Sequence, residues 1–208
     1  MWNAMTFSWM TDGIPIVYYG QEQRFTGIHD PGNREALWPS AYEKTSTVDI
    51  ITKLNKLRDH LVLQSDWLRS PAEIISFTES DVVVAKGYVV SIMTNVGSPP
   101  ANVSANVVNS GYPTGTMLVE VIDCHQMIVG SQGSINVDYL KGGKPNILVP
   151  AYYLRYSGLC EEIEETVFTS YKTHSAASPT SSLPSTSSIF WSAITALLSL
   201  GFLVSHVV

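Results

Sequence analysis

Few residues in this 208-residue chain have types and spacings that suit chemistry. Asp30 and Arg34 stand four apart in a polar stretch rich in Gly, Pro, Asp and Asn. A carboxylate only accepts hydrogen bonds, and a guanidinium presents five donors in a rigid fork. The pair therefore suits either an ion pair inside its own loop or a ligand bearing several hydroxyls. Taken on residue types alone, the ion pair without a ligand is the favoured reading. His29 precedes Asp30, but a lone loop histidine reads as solvated, with no second histidine or carboxylate cluster to suggest a metal. Gln21, Glu22 and Gln23 read as a hydrogen-bonded buttress for loops. Glu161-Glu162 and Glu164-Glu165 form an acidic run that reads as a solvated surface, so no residue here is a candidate catalytic carboxylate. The two cysteines, Cys124 and Cys160, exclude a four-cysteine zinc site and a disulfide-dense miniprotein.

These residues need elements to hold them. The chain starts with an apolar helix that is expected to end at Thr11-Asp12-Gly13 with Gly13 as its C-cap. Ile14 to Tyr19 is a short run rich in β-branched and aromatic residues between two glycines, which reads as a buried strand of a parallel sheet. A long loop from Gly20 to Trp38 follows. Tyr18 is expected in the core, while Trp38 is open to either packing or stacking on a ligand. A helix is then expected over 46–63, with Ser46 as N-cap and Asp49 three residues on. Ile50, Ile51, Leu54, Leu57, Leu61 and Val62 mark its apolar face; Lys53, Asn55, Lys56, Arg58 and Asp59 mark its wet face. One such strand–loop–helix unit cannot cover its own sheet edges, so partners outside it are expected. From Ser65 the pattern changes to short runs with turns between them: 73–77, 82–85, 88–94, 102–108, 117–122, 127–129, 135–137 and 146–153. Many short strands at this spacing predict an antiparallel β-sandwich.

Charge locates the rest of the chain. Charged residues are 14% of the sequence, low for a soluble domain, and none lies in 173–208. A net charge of −6 argues against a nucleic-acid partner. Of the 20 residues from Thr169 to Ser188, 14 are Ser, Thr or Pro, the composition of an extended stalk. Residues 189–208 are an uncharged, mostly apolar run about long enough to span a bilayer. The run lacks a basic stop-transfer cluster, and small residues at Ser175-Ala176-Ala177 are followed by an 11-residue polar spacer. That arrangement favours a glycosylphosphatidylinositol (GPI) attachment signal, with Ser175 as attachment residue, over a permanent transmembrane helix or a core helix. In such a secreted setting Cys124 and Cys160 are expected to form a bridge, and Asn102-Val103-Ser104 is a usable glycosylation sequon at Asn102. The chain divides into a strand–loop–helix unit (1–64), a sandwich (65–161), a stalk (162–188) and an attachment signal (189–208). The first helix has no leader-like basic residue before it, and the chain is expected to be part of something longer.

The stretch Asp12-Gly13-Ile14-Pro15-Ile16-Val17-Tyr18-Tyr19-Gly20-Gln21-Glu22-Gln23 resembles the eighth barrel strand of fungal secreted alpha-amylases. Asp30-Pro31-Gly32-Asn33-Arg34-Glu35-Ala36-Leu37-Trp38 resembles the loop after it, and 46–63 the eighth barrel helix. Cys124 with Cys160, and Gly111-Tyr112 before Leu118-Val119-Glu120-Val121-Ile122, resemble the C-terminal β-sandwich, domain C. The resemblance covers about residues 3–161. It implies the last strand and helix of a (β/α)8 barrel followed by domain C, in the C-terminal part of a cell-surface or cell-wall, GPI-anchored homologue that is expected to be a monomer. It implies retaining hydrolysis, or transglycosylation, of internal α-1,4-glucosidic bonds in starch-like or cell-wall α-glucan. The family's catalytic carboxylates and calcium site precede the first residue here, so calcium is expected for the family but for no residue of this chain, and this chain alone is expected to be inactive. Barrel active sites lie at the C-terminal ends of the strands, and Asp30 and Arg34 match the family's residues that hydrogen-bond a glucosyl unit. The alternative is an anchored, non-catalytic glucan-binding or structural module.

Overall fold

A computed structural model describes residues 1–64, 66–97, 103–139 and 143–163. Asn102, Ser175, the stalk from 164 and the tail 189–208 lie outside the described residues, so the glycosylation and attachment expectations have no structural counterpart here. Among the described residues no helix is long and apolar enough to cross a membrane.

Two helices precede the sheet: α1 (Trp2–Met10) and α2 (Ser46–Gln64). Helix α1 ends earlier than its glycine suggested. Thr11 is its C-cap in an extended conformation, and both the Thr11 backbone N–H and its hydroxyl donate to the Phe7 carbonyl. Gly13 lies beyond the cap at φ +105°. The start of α2 also differs by one residue. The Thr45 hydroxyl, not Ser46, accepts the Val48 N–H at 3.2 Å and donates to the Glu22 carbonyl. One threonine thus satisfies an orphan donor of the helix and ties the preceding loop to it.

All eight short runs become strands: β1 (Ala72–Phe77), β2 (Asp81–Lys86), β3 (Val89–Thr94), β4 (Ser104–Val107), β5 (Met117–Glu120), β6 (His125–Ile128), β7 (Ile135–Asp138) and β8 (Asn146–Pro150). The last run stops as a strand at Pro150 and turns into a short helix, α3 (Ala151–Leu154), because proline donates no ladder bond. A six-stranded antiparallel sheet has the order β1-β2-β3-β8-β5-β6, and β4 and β7 form a separate antiparallel pair. Alternation along each strand sends residues to two faces. Val83, Val90, Ile92, Leu118 and Leu148 meet Val107, Ile135 and Val137 of the small sheet in one core. Val89, Val119, Ile147 and Val149 meet Met5, Trp9, Leu54, Leu57 and Leu61 of the helices in the other. Each fully buried leucine or isoleucine contributes about 1.5–3 kcal/mol relative to exposure. The 64/65 boundary is therefore a change of element type, and the helices complete the sheet's second face.

A cationic clamp fixes this junction. Trp67 is fully buried and its indole N–H donates to the Lys86 carbonyl at 3.0 Å. The Arg58 guanidinium and the Lys86 ammonium both lie 5.0 Å from its ring centroid, within cation–π range. Arg58 also donates to the Trp9 and Gly13 carbonyls, each at 2.6 Å. Lys86, 2% exposed, donates to the Asp12 carboxylate at 2.6 Å and to the Ser70 carbonyl. Gly87 turns the β2–β3 hairpin at φ +55°, and a Cβ there would come within 3.1 Å of Trp67, a conformation and a space that favour glycine. Three residues expected on the wet face of α2 make tertiary bonds: Arg58 as described, Asn55 accepting the Trp9 indole N–H at 2.8 Å, and Lys53 donating to the Ile122 carbonyl. Their charged or amide heads reach past the apolar stripe to carbonyls and an indole that would otherwise be buried unpaired.

Residues 14–18 are the main departure from the sequence reading. They carry no ladder bond, and Ile14 and Ile16 are 88% and 83% exposed. A buried parallel strand needs a strand on each edge and helices on its faces. Among the described residues no strand pairs with this segment. Tyr18, expected in the core, is exposed for the same reason.

Candidate functional site

The loop from Gly20 to Trp38 holds the charged pair, and its shape comes from local hydrogen bonds. The Tyr18 N–H donates to the Gln21 side-chain carbonyl at 3.0 Å, and the Phe25 N–H to the Gly20 carbonyl at 2.9 Å. The Gln23 amide donates to the Glu43 carbonyl at 3.1 Å, and the Glu22 carbonyl receives Thr45. Gln21 and Gln23 therefore act as the buttress their position suggested. Further along, the Gly27 N–H donates to the Glu35 carboxylate at 3.1 Å. The turn at 29–34 is closed by the Asn33 N–H on the His29 carbonyl and the Arg34 N–H on the Pro31 carbonyl, both at 3.0 Å, with a cis Asp30–Pro31 peptide.

Within that turn Arg34 Nε lies 3.0 Å from Asp30 Oδ1, and the two side chains are 68% and 64% exposed. The intraloop ion pair is thus present, and its open surface leaves acceptor and donor positions free for a ligand. An exposed pair contributes little to stability. Trp38 opens a 3-10 turn (Trp38–Ser40) and is 73% exposed, so it is not packed in a core.

Cys124 and Cys160 form the expected disulfide. With Glu162 they are also the one cluster of metal-type donors among the described residues. A hard cation needs several oxygen ligands; this cluster offers one carboxylate and two sulfurs already bonded to each other. It does not fit calcium.

One buried acid escaped the sequence reading. Glu120 is almost fully buried, and its carboxylate accepts the Ile122 and Asp123 N–H groups at 3.0 and 2.7 Å and the Ile147 N–H at 3.2 Å. Burial pushes its carboxyl above the usual carboxylate range, and these three donors pull in the opposite direction. Its work is to join the end of β5 to β8 and to the turn that carries Cys124. A lone glutamate inside Leu118-Val119-Glu120-Val121-Ile122 was the available signal. Lys86 carried a similar one, since alternation places it on the face of Val82 and Val84.

The comparisons with known proteins agree with this architecture. Residues 74–168 match the family model described as alpha-amylase, domain C. Alpha-amylase 1 of Schwanniomyces occidentalis is 36% identical over 166 residues, 77% of this chain and 32% of that protein. An alpha-amylase of Saccharomycopsis fibuligera is 39% identical over 153 residues, 73% of this chain and 30% of that protein. Among solved structures, an alpha-amylase from Malbranchea cinnamomea superposes with a TM-score of 0.72 at 34% identity, over 76% of this chain and 34% of that one. The chain spans about a third of the length of the curated relatives it matches.

Proposed function

From the premise that this chain belongs to the alpha-amylase family and carries its domain C, we propose that it supplies one wall of an α-glucan cleft, together with the domain that braces it. The whole protein, on this proposal, cleaves internal α-1,4-glucosidic bonds with retention, by hydrolysis or by transfer to a second sugar. Both outcomes use one glycosyl-enzyme intermediate, intercepted by water or by a sugar hydroxyl. The two carboxyls that such a reaction holds about 5–5.5 Å apart belong, by the family resemblance, to barrel strands other than those described here.

One observation carries the reading: an exposed Asp30–Arg34 pair, 3.0 Å apart, on a loop stitched to the helix that follows. In this role the Asp30 carboxylate accepts from glucosyl hydroxyls, and the Arg34 guanidinium donates to hydroxyl oxygens in the same plane. The Arg58 and Lys86 bonds to Gly13 and Asp12 hold the segment leading into that loop against the sandwich. The protein is placed at the cell surface or wall through a GPI anchor, on the strength of the uncharged C-terminal run and its small-residue site at Ser175. Calcium belongs to the proposal for the whole protein only.

The test uses the protein on its native cells. Phosphatidylinositol-specific phospholipase C releases it, and the released protein cleaves soluble starch. Arg34→Ala raises KM about tenfold, the worth of one charge-assisted hydrogen bond, with a smaller change in kcat. Retention on the membrane after lipase treatment overturns the anchor, and an absence of glucan cleavage overturns the enzyme reading. A second reading, an anchored glucan-binding module without catalysis, is favoured by the core between the two sheets, which no residue of α1 or α2 enters.

A further inference from the structure

The loop from Gly20 to Trp38 is two nested turns, held in different ways. The first, 20–25, is tied to the chain beyond the loop by the Gln23 amide on the Glu43 carbonyl and by Thr45 on the Glu22 carbonyl. It is also packed, since a Cβ at Gly20 would strike the Phe25 ring. The second turn, 29–34, carries Asp30 and Arg34. Its backbone bonds, Asn33 to His29 and Arg34 to Pro31, stay inside it. Its ion pair does too. Its place relative to the first turn is therefore set by its two arms, 26–28 and 35–37. Among the described residues one hydrogen bond joins those arms, from the Gly27 N–H to Glu35 Oε1 at 3.1 Å. The backbones close up at the same level. A Cβ at Gly27, where φ is +41°, would lie 2.8 Å from Asn33 Cα, so conformation and space both call for glycine there. Glu35 is exposed and forms no ion pair among the described residues. Its carboxylate is committed to a backbone amide beside the charged pair.

We infer that Glu35 is a positioning residue for Arg34 and Asp30: its carboxylate closes the neck of the loop at Gly27 and so fixes how the pair meets a glucosyl unit. The inference rests on the glucan reading of that pair given above. The ion pair cannot supply this orientation, because both of its members ride on the same turn and move together. A turn that pivots on open arms displaces the guanidinium, and a displacement of about 1 Å is enough to spoil an oriented contact. Glu35 acts through Arg34 and needs no contact with sugar. An exposed hydrogen bond of this kind adds little to global stability, so its effect falls on the loop and not on the fold.

The test uses the lipase-released protein on soluble starch, with amide hydrogen exchange of the purified 208-residue chain as a second readout. Glu35→Ala raises KM about threefold with little change in kcat, the scale of one solvent-exposed hydrogen bond. Glu35→Gln loses the same charge but keeps an acceptor, and it restores KM toward the wild-type value. Gly27→Ala, which forces the arms apart, raises KM at least as much as Glu35→Ala. In an Arg34→Ala background Glu35→Ala adds no further loss, because its effect passes through that guanidinium. In the 208-residue chain the Gly27 amide exchanges about threefold faster in Glu35→Ala than in wild type or Glu35→Gln. An unchanged KM in Glu35→Ala, a Glu35→Gln variant as impaired as Glu35→Ala, or full additivity with Arg34→Ala overturns the positioning role while the enzyme reading stands. Unchanged Gly27 exchange in Glu35→Ala overturns the loop closure itself. Absence of starch cleavage by wild type overturns the enzyme reading and the positioning role with it.

Discussion

The segment 14–38 and the sandwich are both rich in residues that normally go inside, yet they end up in opposite environments. In the sandwich, Ile92, Leu118, Ile147, Leu148 and Val149 lose all contact with solvent. In the loop segment, Ile14, Ile16 and Ile28 stay almost fully exposed. Propensity does not separate them, because Ile14 to Tyr19 is as β-prone as β2 or β3. What separates them is partners. The inner strands β3, β5 and β8 each have a strand on both edges and a packed core on both faces, whereas the 14–18 segment has only the turn that follows and the clamp at Asp12 and Gly13. A strand is stabilised by what it pairs with and packs on, more than by its own residues.

The contrast is sharpened most by breaking the side that is packed. Trp67→Ala removes a fully buried ring and leaves Lys86 and Arg58 facing a void, with an expected loss of about 4 kcal/mol in denaturant unfolding. Opening the Cys124–Cys160 bridge by a double serine substitution is expected to cost about 3–4 kcal/mol, from the loop it closes.

Two carboxylates then test the contrast through pH. The Lys86 hydrogen bond, with help from the Ala72 N–H, holds the exposed Asp12 carboxyl below its ordinary value. Its contribution to stability is present above the unfolded value and is lost as pH falls through the lowered folded value. Glu120 runs the other way. Burial raises its carboxyl, so its contribution is present below the unfolded value and is lost as pH rises through the raised folded value. Unfolding midpoints from about pH 3 to 8 are expected to lose the acid-side decline in Asp12→Asn and the decline with rising pH in Glu120→Gln.

The smallest effect belongs to the loop. Asp30→Ala is expected to change stability by less than about 0.5 kcal/mol, because the ion pair it breaks is two-thirds exposed. A loss several times larger in thermal unfolding would mean that the loop is part of the packed unit.

Much of this was legible from the sequence because it is local. The eight strand runs, the α2 stripe and the bridge of two lone cysteines follow from period, turn residues and count. The errors have physical causes of a different range. The caps at Thr11 and Thr45 were set by a hydroxyl finding a specific carbonyl, which spacing does not reveal. Helical periodicity points Arg58, Asn55 and Lys53 to solvent because it places the Cβ, not the end of a long side chain. Glu120 and Lys86 were polar residues on inward-facing positions, a visible anomaly whose partners lie far away in sequence. At the charged pair, residue types suggested the ion pair, and only family resemblance suggested a sugar. The stacked Tyr88 and Tyr153 come from a hairpin turn and from α3, 65 residues apart, and leave no local pattern at all.

On the proposed reading these residues provide a cleft wall and a supporting domain while the reacting carboxylates lie elsewhere. The most direct measurement is reducing-sugar release from soluble starch by the purified, folded 208-residue chain. The expected release is none above a buffer control. Release that persists through purification and vanishes on heat denaturation would contradict it and place a catalytic pair within this chain.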